Sequence, residues 1–228
     1  MAYEYGPPSR SIKEILMAIR EGLMCEYRAE YLPAHRRSSR RTRRLRRIRG
    51  WSRETDRLVA QINRVMLETL PRIERDTGYT FCDPDGLLRI LMDNSTKRLF
   101  FGILAGFPED ALPVPAKDLD MLGKFPDDAR ALALIGDVTL RLKVLPALQV
   151  ENRSSLADPS AGAAGLAALC DRWELCESRI GLACRRHPTG ETLAREKETL
   201  AGAVLGFIYV EGGTDALRAA VPLLACGR

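Results

Sequence analysis

Apolar residues recur at helical spacing along most of the chain. Ile12, Ile15, Leu16, Ile19, Leu23, Tyr27 and Tyr31 share one helical face. Ser11 and Glu14 open that face as an S-x-x-E capping box, and Pro33 predicts its end. Residues 1–10, with Gly6-Pro7-Pro8, read as a loose terminus. A second face carries Leu58, Val59, Ile62, Val65, Met66 and Leu70, and Ser52 is placed to cap it. Asp83-Pro84 predicts an N-cap followed by proline in the first turn, ahead of Leu87, Leu88, Leu91 and Met92. Phe100, Phe101, Ile103 and Leu104 predict a helix after Ser95. Pro108, Pro113, Pro115 and Pro126, mixed with acids, predict a long loop or insertion over 106–127. Asp127 or Asp128 would then cap a helix carrying Leu132, Ile135, Val138 and Leu142. Residues 151–165 read as a Ser/Gly/Ala-rich connection, followed by a helix near 166–177 that holds Trp173. A further helix from near Glu191 carries Leu200, Val204, Leu205 and Ile208. Gly212-Gly213 predicts its stop, and Thr214 caps a short last helix. No stretch alternates with period two, so the expected fold is all-α, without internal repeats.

Composition agrees with a packed domain. Of 228 residues, 46% are hydrophobic and 29% charged, and no run of 18 apolar residues occurs, so no transmembrane helix is expected. The net charge of +5 conceals an uneven distribution. Residues 36–53 hold ten arginines and no acid, while the remainder carries 25 basic and 30 acidic side chains. The six cysteines (Cys25, Cys82, Cys170, Cys176, Cys184 and Cys226) form no C-x-x-C pair, and no apolar signal segment precedes them. Reduced, mostly buried thiols and a cytoplasmic location are expected. Cys184-x-x-His187 supplies half of a metal-ligand pattern without a matching second pair.

The arginine run is the first candidate site. Arg36, Arg37, Arg40, Arg41, Arg43, Arg44, Arg46, Arg47 and Arg49 can each contact phosphate bidentately. Trp51 follows them and could stack on a base. RNA is the expected partner; a targeting signal or an acidic protein are the alternatives.

Three segments resemble the ribonuclease III catalytic domain. Residues 73–95, IERDTGYTFCDPDGLLRILMDNS, resemble that family's opening GYxFxDPxLLxxALTHxS stretch. Residues 131–140, ALALIGDVTL, resemble the signature ERLEFLGDAVL. Residues 203–217, AVLGFIYVEGGTDAL, resemble EALIGAIYLDGGLEAA. Their order and spacing match the family over about residues 65–228, which leaves 1–64 as an N-terminal extension with a helix and the arginine-rich segment. The resemblance implies an all-α domain that commonly forms a homodimer and binds double-stranded RNA. In active members, carboxylates on two packed helices hold Mg²⁺, which activates water.

This chain departs from the family at those carboxylates. Asp137 matches the signature Asp, but the Glu four residues earlier is Ala133 and the Glu seven residues earlier is Arg130. In the later helix the acid positions are occupied by Thr199 and Gly202. Asp137 is left as a vestigial metal ligand, or as a structural partner of Arg130. No residue is assigned a confident catalytic role and no cofactor is expected. The leading expectation is therefore a non-catalytic RNA-binding protein on a ribonuclease III-like domain, in a ribosomal or RNA-processing context. One alternative is a divergent Mg²⁺-dependent endoribonuclease drawing on Asp127, Asp128, Glu196 or Glu198. The other is a dimeric protein-interaction module. No membrane partner is expected.

Overall fold

The computed structural model describes residues 10–31, 39–108, 111–144, 159–182 and 190–225. Among them the secondary structure is helical, with one isolated parallel bridge between Met92 and Ile180. In chain order the helices are α1 (Ile12–Tyr31), α2 (Ser39–Arg64), α3 (Leu70–Thr77), α4 (Pro84–Leu91), α5 (Ser95–Leu104), α6 (Ala116–Thr139), α7 (Pro159–Arg172), α8 (Gly190–Ala220) and α9 (Pro222–Ala225). Short π-helical turns at Val65–Thr69 and Leu140–Val144 join α2 to α3 and extend α6.

The caps at two helix starts are those the sequence predicts. Ser11 Oγ accepts from the Glu14 N–H at 3.2 Å, and Glu14 Oε2 accepts from the Ser11 N–H at 2.9 Å. Asp83 accepts from the Asp85 N–H at 3.2 Å, with Pro84 opening α4. Pro33 lies outside the described residues, and α1 ends at Tyr31. Gly213 breaks the helical path of α8 at φ 73°, as the Gly-Gly pair predicts.

Three expectations require correction. Ser52 caps nothing: it is buried in the interior of α2, which begins at Ser39 and takes in most of the arginine run. The region before Asp127 is largely helix rather than a long loop, because α6 starts at Ala116, just after Pro115, and runs through Pro126. Leu119, Leu122, Phe125 and Pro126 are buried at helical spacing, and this burial offsets the hydrogen bond that Pro126 cannot donate. The small-residue connection predicted to reach residue 165 is already helical from Pro159, while Trp173 follows α7 in a turn instead of lying inside it.

α8 lies against α3, α4, α6, α7 and α9, and Ala201–Ile208 is its fully buried stretch. It is long and apolar enough to cross a membrane by length and composition, although half of its most apolar window is buried inside the protein (50%). The closest approach is between α6 and α8. A Cβ on Gly136 would stand 2.1 Å from the Gly202 carbonyl oxygen, and one on Gly206 would stand 2.1 Å from the Leu132 carbonyl oxygen. The two backbones therefore touch through glycines. The buried apolar side chains form one cluster reaching from Ile12 in α1 to Leu224 in α9.

α1 and α2 are tied to the rest of the chain. The Ile12 N–H donates to Asp85 Oδ2 at 2.7 Å. Gln61 accepts from the Gly181 N–H at 3.0 Å and donates to the Gly181 carbonyl at 3.2 Å. Arg64 donates to the Glu177 carbonyl at 3.0 Å. The helical path also continues across residue 64 into the π-turn.

Candidate nucleic-acid interface

α2 carries ten arginines and two acids, Glu54 and Asp56. Its buried positions are Ile48, Ser52, Thr55, Leu58 and Ile62, spaced by three and four. Thr55 Oγ1 satisfies itself on the Trp51 carbonyl one turn back, at 2.9 Å. Fixing that face inward turns Arg43, Arg46, Arg47, Arg49, Arg53, Arg57 and Arg64 outward, all exposed. At 1.5 Å per residue they form a stripe roughly 30 Å long.

The arginines divide by orientation. Arg41 and Arg44 face α1: Arg41 donates to the Glu30 carbonyl, and Arg44 pairs with Glu30 at 2.8 Å and Glu26 at 3.7 Å. Arg20 of α1 pairs in return with Asp56. Among the described residues Arg43, Arg46, Arg47, Arg49, Arg53 and Arg57 form no ion pair. Arg36 and Arg37 lie outside the described residues, and Arg40 belongs to α2.

Trp51 locks α2 onto α5. Its ring fills the space where a Cβ on Gly106 would stand 2.4 Å away, and its Nε1 lies beside Gly102. Phe107 packs tilted against it at 6.0 Å between centroids. Arg47 stacks over Trp51 at 5.8 Å and Arg44 over Phe107 at 5.7 Å. Two open clefts flank the indole. One, of about 760 Å³, is lined by Arg41, Arg43, Arg44, Arg47 and Phe107. The other, of about 740 Å³, is lined by Arg47, Glu54, Ser95, Arg98 and Leu182. The half-buried ring is thus both a packing element and a wall of two basic clefts. Such a surface can hold polyanions through phosphate contacts and can offer ring edges to a base.

Sequence reasoning ends the basic segment at residue 53, whereas the structure carries the stripe on through Arg57 and Arg64. Spacing could have found them: 46, 49, 53, 57 and 64 fall on one helical side once the buried face is known.

The second candidate site lies between α6 and α8. The four positions at which the resemblance expects carboxylates lie on two helices that pack together, α6 and α8. A Cβ on Gly202 would stand 3.6 Å from the Ala133 carbonyl, and Asp137 is one turn from Ala133 on α6. The chemistry is absent from them. Asp137 is partly exposed and pairs with Arg141 at 2.8 Å. Its expected partner Arg130 instead pairs with Asp127 at 3.6 Å. The reason is orientation: Arg141 lies one turn from Asp137, Arg130 nearly two. Thr199 Oγ1 donates to the Arg195 carbonyl at 2.7 Å. Two of the alternative acids, Asp127 and Glu196, are engaged elsewhere. Asp127 takes Lys97 at 2.7 Å, and that hydrogen bond holds its carboxyl below the usual range. Glu196 pairs with Arg179, which also holds Asp93 at 2.6 Å. Among the described residues no three His, Cys, Asp or Glu side chains converge to hold a metal ion. The residues at this site do not fit Mg²⁺, which needs several hard oxygen donors and keeps its waters tightly. Cys184 and His187 lie outside the described residues.

No family model matches this chain, and neither a curated protein nor a solved structure is significantly similar to it.

Proposed function

We propose that this protein binds structured RNA without cleaving it, on a ribonuclease III-like helical scaffold. One observation carries the reading: the solvent-facing arginine stripe of α2, which among the described residues no carboxylate pairs with, while Arg41 and Arg44 are tied to α1. A duplex places phosphates along a line, and a rigid row of guanidinium groups meets them with little ordering entropy.

The scaffold reading is supported by how the three resembling segments meet. Glu211 accepts from Tyr79 Oη at 2.9 Å and from the Asp83 N–H at 2.5 Å, joining the first segment to the third. Phe81 stacks on Phe207 at 5.6 Å. Gly136 of the second segment rests on Gly202 and Gly206.

A second copy of the chain is the proposed protein partner. Leu134, Ile135, Val138 and Leu142 form an exposed apolar strip along α6 and the turn that extends it, with Leu134 66% and Leu142 71% exposed.

Binding of a duplex RNA of about 20 base pairs, followed by fluorescence anisotropy from 50 to 300 mM salt, tests the main reading. The expected result is a steep negative dependence of log K on log salt. Replacing Arg46, Arg49 and Arg53 together by Ala should weaken binding roughly tenfold or more at 0.1 M salt. The slope should shrink by about 0.9 for each phosphate that the variant no longer neutralises, using the B-form duplex value. Affinity unchanged by the triple substitution would refute the assignment, and Mg²⁺-dependent cleavage abolished by Asp137→Ala would refute its non-catalytic part.

A further inference from the structure

Two of the cysteines are brought together by the way α7 ends. The Leu175 N–H donates to the Cys170 carbonyl at 3.0 Å, and the Glu174 N–H to the Asp171 carbonyl at 3.1 Å. Glu174 has the left-handed φ of 52°. This is a Schellman arrangement, a six-to-one bond enclosing a five-to-two bond. It folds the chain back over the last helical turn, so the residue after Leu175 returns beside Cys170. Cys176 Sγ stands 3.7 Å from Cys170 Sγ, and both are free thiols. Cys170 is fully buried beside Trp173 and Leu175, while Cys176 is partly exposed.

We propose that Cys170 and Cys176 form a reversible intramolecular disulfide, made by exchange with low-molecular-weight disulfides. The partly exposed thiol attacks and the buried one resolves. The Cys176 thiolate attacks one sulfur of the small disulfide, forming a mixed disulfide and releasing one small thiolate. Cys170 then gives up its proton, attacks Cys176 Sγ, and expels the second small thiol. Two protein thiols are oxidised, one small disulfide is reduced to two thiols, and the two protons end on the products. Closing 3.7 Å to the bond length of about 2.05 Å requires a shift that the turn at Cys176 can supply without moving α7.

The surroundings match these roles. The contact with Cys170 brings the Cys176 thiol down to about 7, with Arg179 and Lys197 adding to it against burial and Glu177. The contact with Cys176 and burial push the Cys170 thiol up, which keeps it protonated until the mixed disulfide forms. The same turn holds the end of α2 and the π-turn that follows it: the Glu177 carbonyl accepts from Arg64, and Ser178 Oγ shares a buried hydrogen bond with Thr69 Oγ1 at 2.7 Å. A bond between the cysteines would therefore close the turn to which the end of the basic helix is anchored.

The test uses the full chain, reduced and then equilibrated in buffers of reduced and oxidised glutathione. Samples are quenched with acid, alkylated, and mapped by mass spectrometry. Loss of two hydrogens and a Cys170–Cys176 cross-linked peptide are expected, with alkylation of Cys176 in the reduced protein at least tenfold faster than that of Cys170. In Cys170→Ala, Cys176 should instead accumulate as the mixed disulfide with glutathione. The wild-type mapping decides the matter even if that variant does not fold. The proposal is overturned if the wild-type chain keeps both thiols alkylatable, stops at the mixed disulfide, or links Cys176 to another cysteine. It is equally overturned if the purified protein holds one equivalent of thiolate-bound zinc that blocks oxidation. None of these outcomes depends on RNA binding.

Discussion

Gly136 and Gly206 leave no room for a methyl group where α6 crosses α8, because each faces backbone of the opposite helix instead of a side chain that could turn away. Gly136→Ala and Gly206→Ala are each expected to destabilise the fold by about 1–3 kcal/mol, the usual range for overpacking. Urea unfolding would show this as a lower midpoint at unchanged slope. Asp76 is a different kind of residue. It accepts from Arg172 at 2.6 Å and from Trp173 Nε1 at 3.2 Å, and the Arg172 hydrogen bond holds its carboxyl below the ordinary range. A depressed carboxyl adds stability above its unfolded pKa of about 3.9 and loses it as pH falls through the folded value. Burial raises the carboxyl of Asp85, so its contribution has the opposite sign: present at low pH and lost as pH rises through its folded value. Asp76→Asn should therefore destabilise the protein by roughly 1 kcal/mol at pH 7 and by less near pH 3, read from denaturation curves at the two pH values. An equal loss at both would show that the charge of Asp76 is immaterial.

At the scale of elements, the ends of helices depart furthest from sequence expectation. α7 closes on Glu174 in a left-handed conformation that glycine would adopt without strain. Glu174 also forms an exposed ion pair with Arg72 at 2.9 Å, which is worth little. Glu174→Gly should stabilise the chain by roughly 0.5 kcal/mol net, observable as a small rise in Tm. A loss instead would mean that the ion pair outweighs the strain. α2 shows why part of the site is legible in the sequence and part is not. The density of arginine is a property of the sequence, and it points to phosphate without any structure. Which arginines are available is not, because that depends on which face Ile48, Leu58 and Ile62 bury. Trp51 is legible as an aromatic beside a basic run, but its packing against Gly102 and Gly106 depends on residues about fifty positions away. The course of α6 is hidden because proline is a local signal of helix breaking, whereas the burial of Phe125 and Pro126 against the rest of the core is a long-range one.

For the whole molecule, the proposed dimer and the proposed RNA surface use different elements of the chain, α6 with its extension and α2. Sedimentation velocity at tens of micromolar should show a dimer. Leu134→Glu combined with Leu142→Glu should convert it to monomer while leaving the helical circular dichroism of the folded chain unchanged. A wild-type chain that sediments as a monomer would remove the second copy as a partner. If the dimer forms, each particle carries two arginine stripes, and RNA long enough to reach both should bind with an avidity that the monomeric variant lacks.

The sequence by itself determined the helical class, the caps at Ser11 and Asp83, the break at Gly213 and the concentration of positive charge, because these follow from local spacing, local hydrogen bonding and composition. It also determined that Ala133, Thr199 and Gly202 bring no side-chain carboxylate to their positions, since no packing supplies an absent one. The tertiary structure decided everything that requires one helix to meet another. It turned seven arginines outward and two toward α1, set glycine against glycine between α6 and α8, and packed Trp51 against Gly102 and Gly106. The physical reason is the same in each case: a side chain's type fixes what it can bond, but only the burial of distant apolar faces fixes which partner comes within reach.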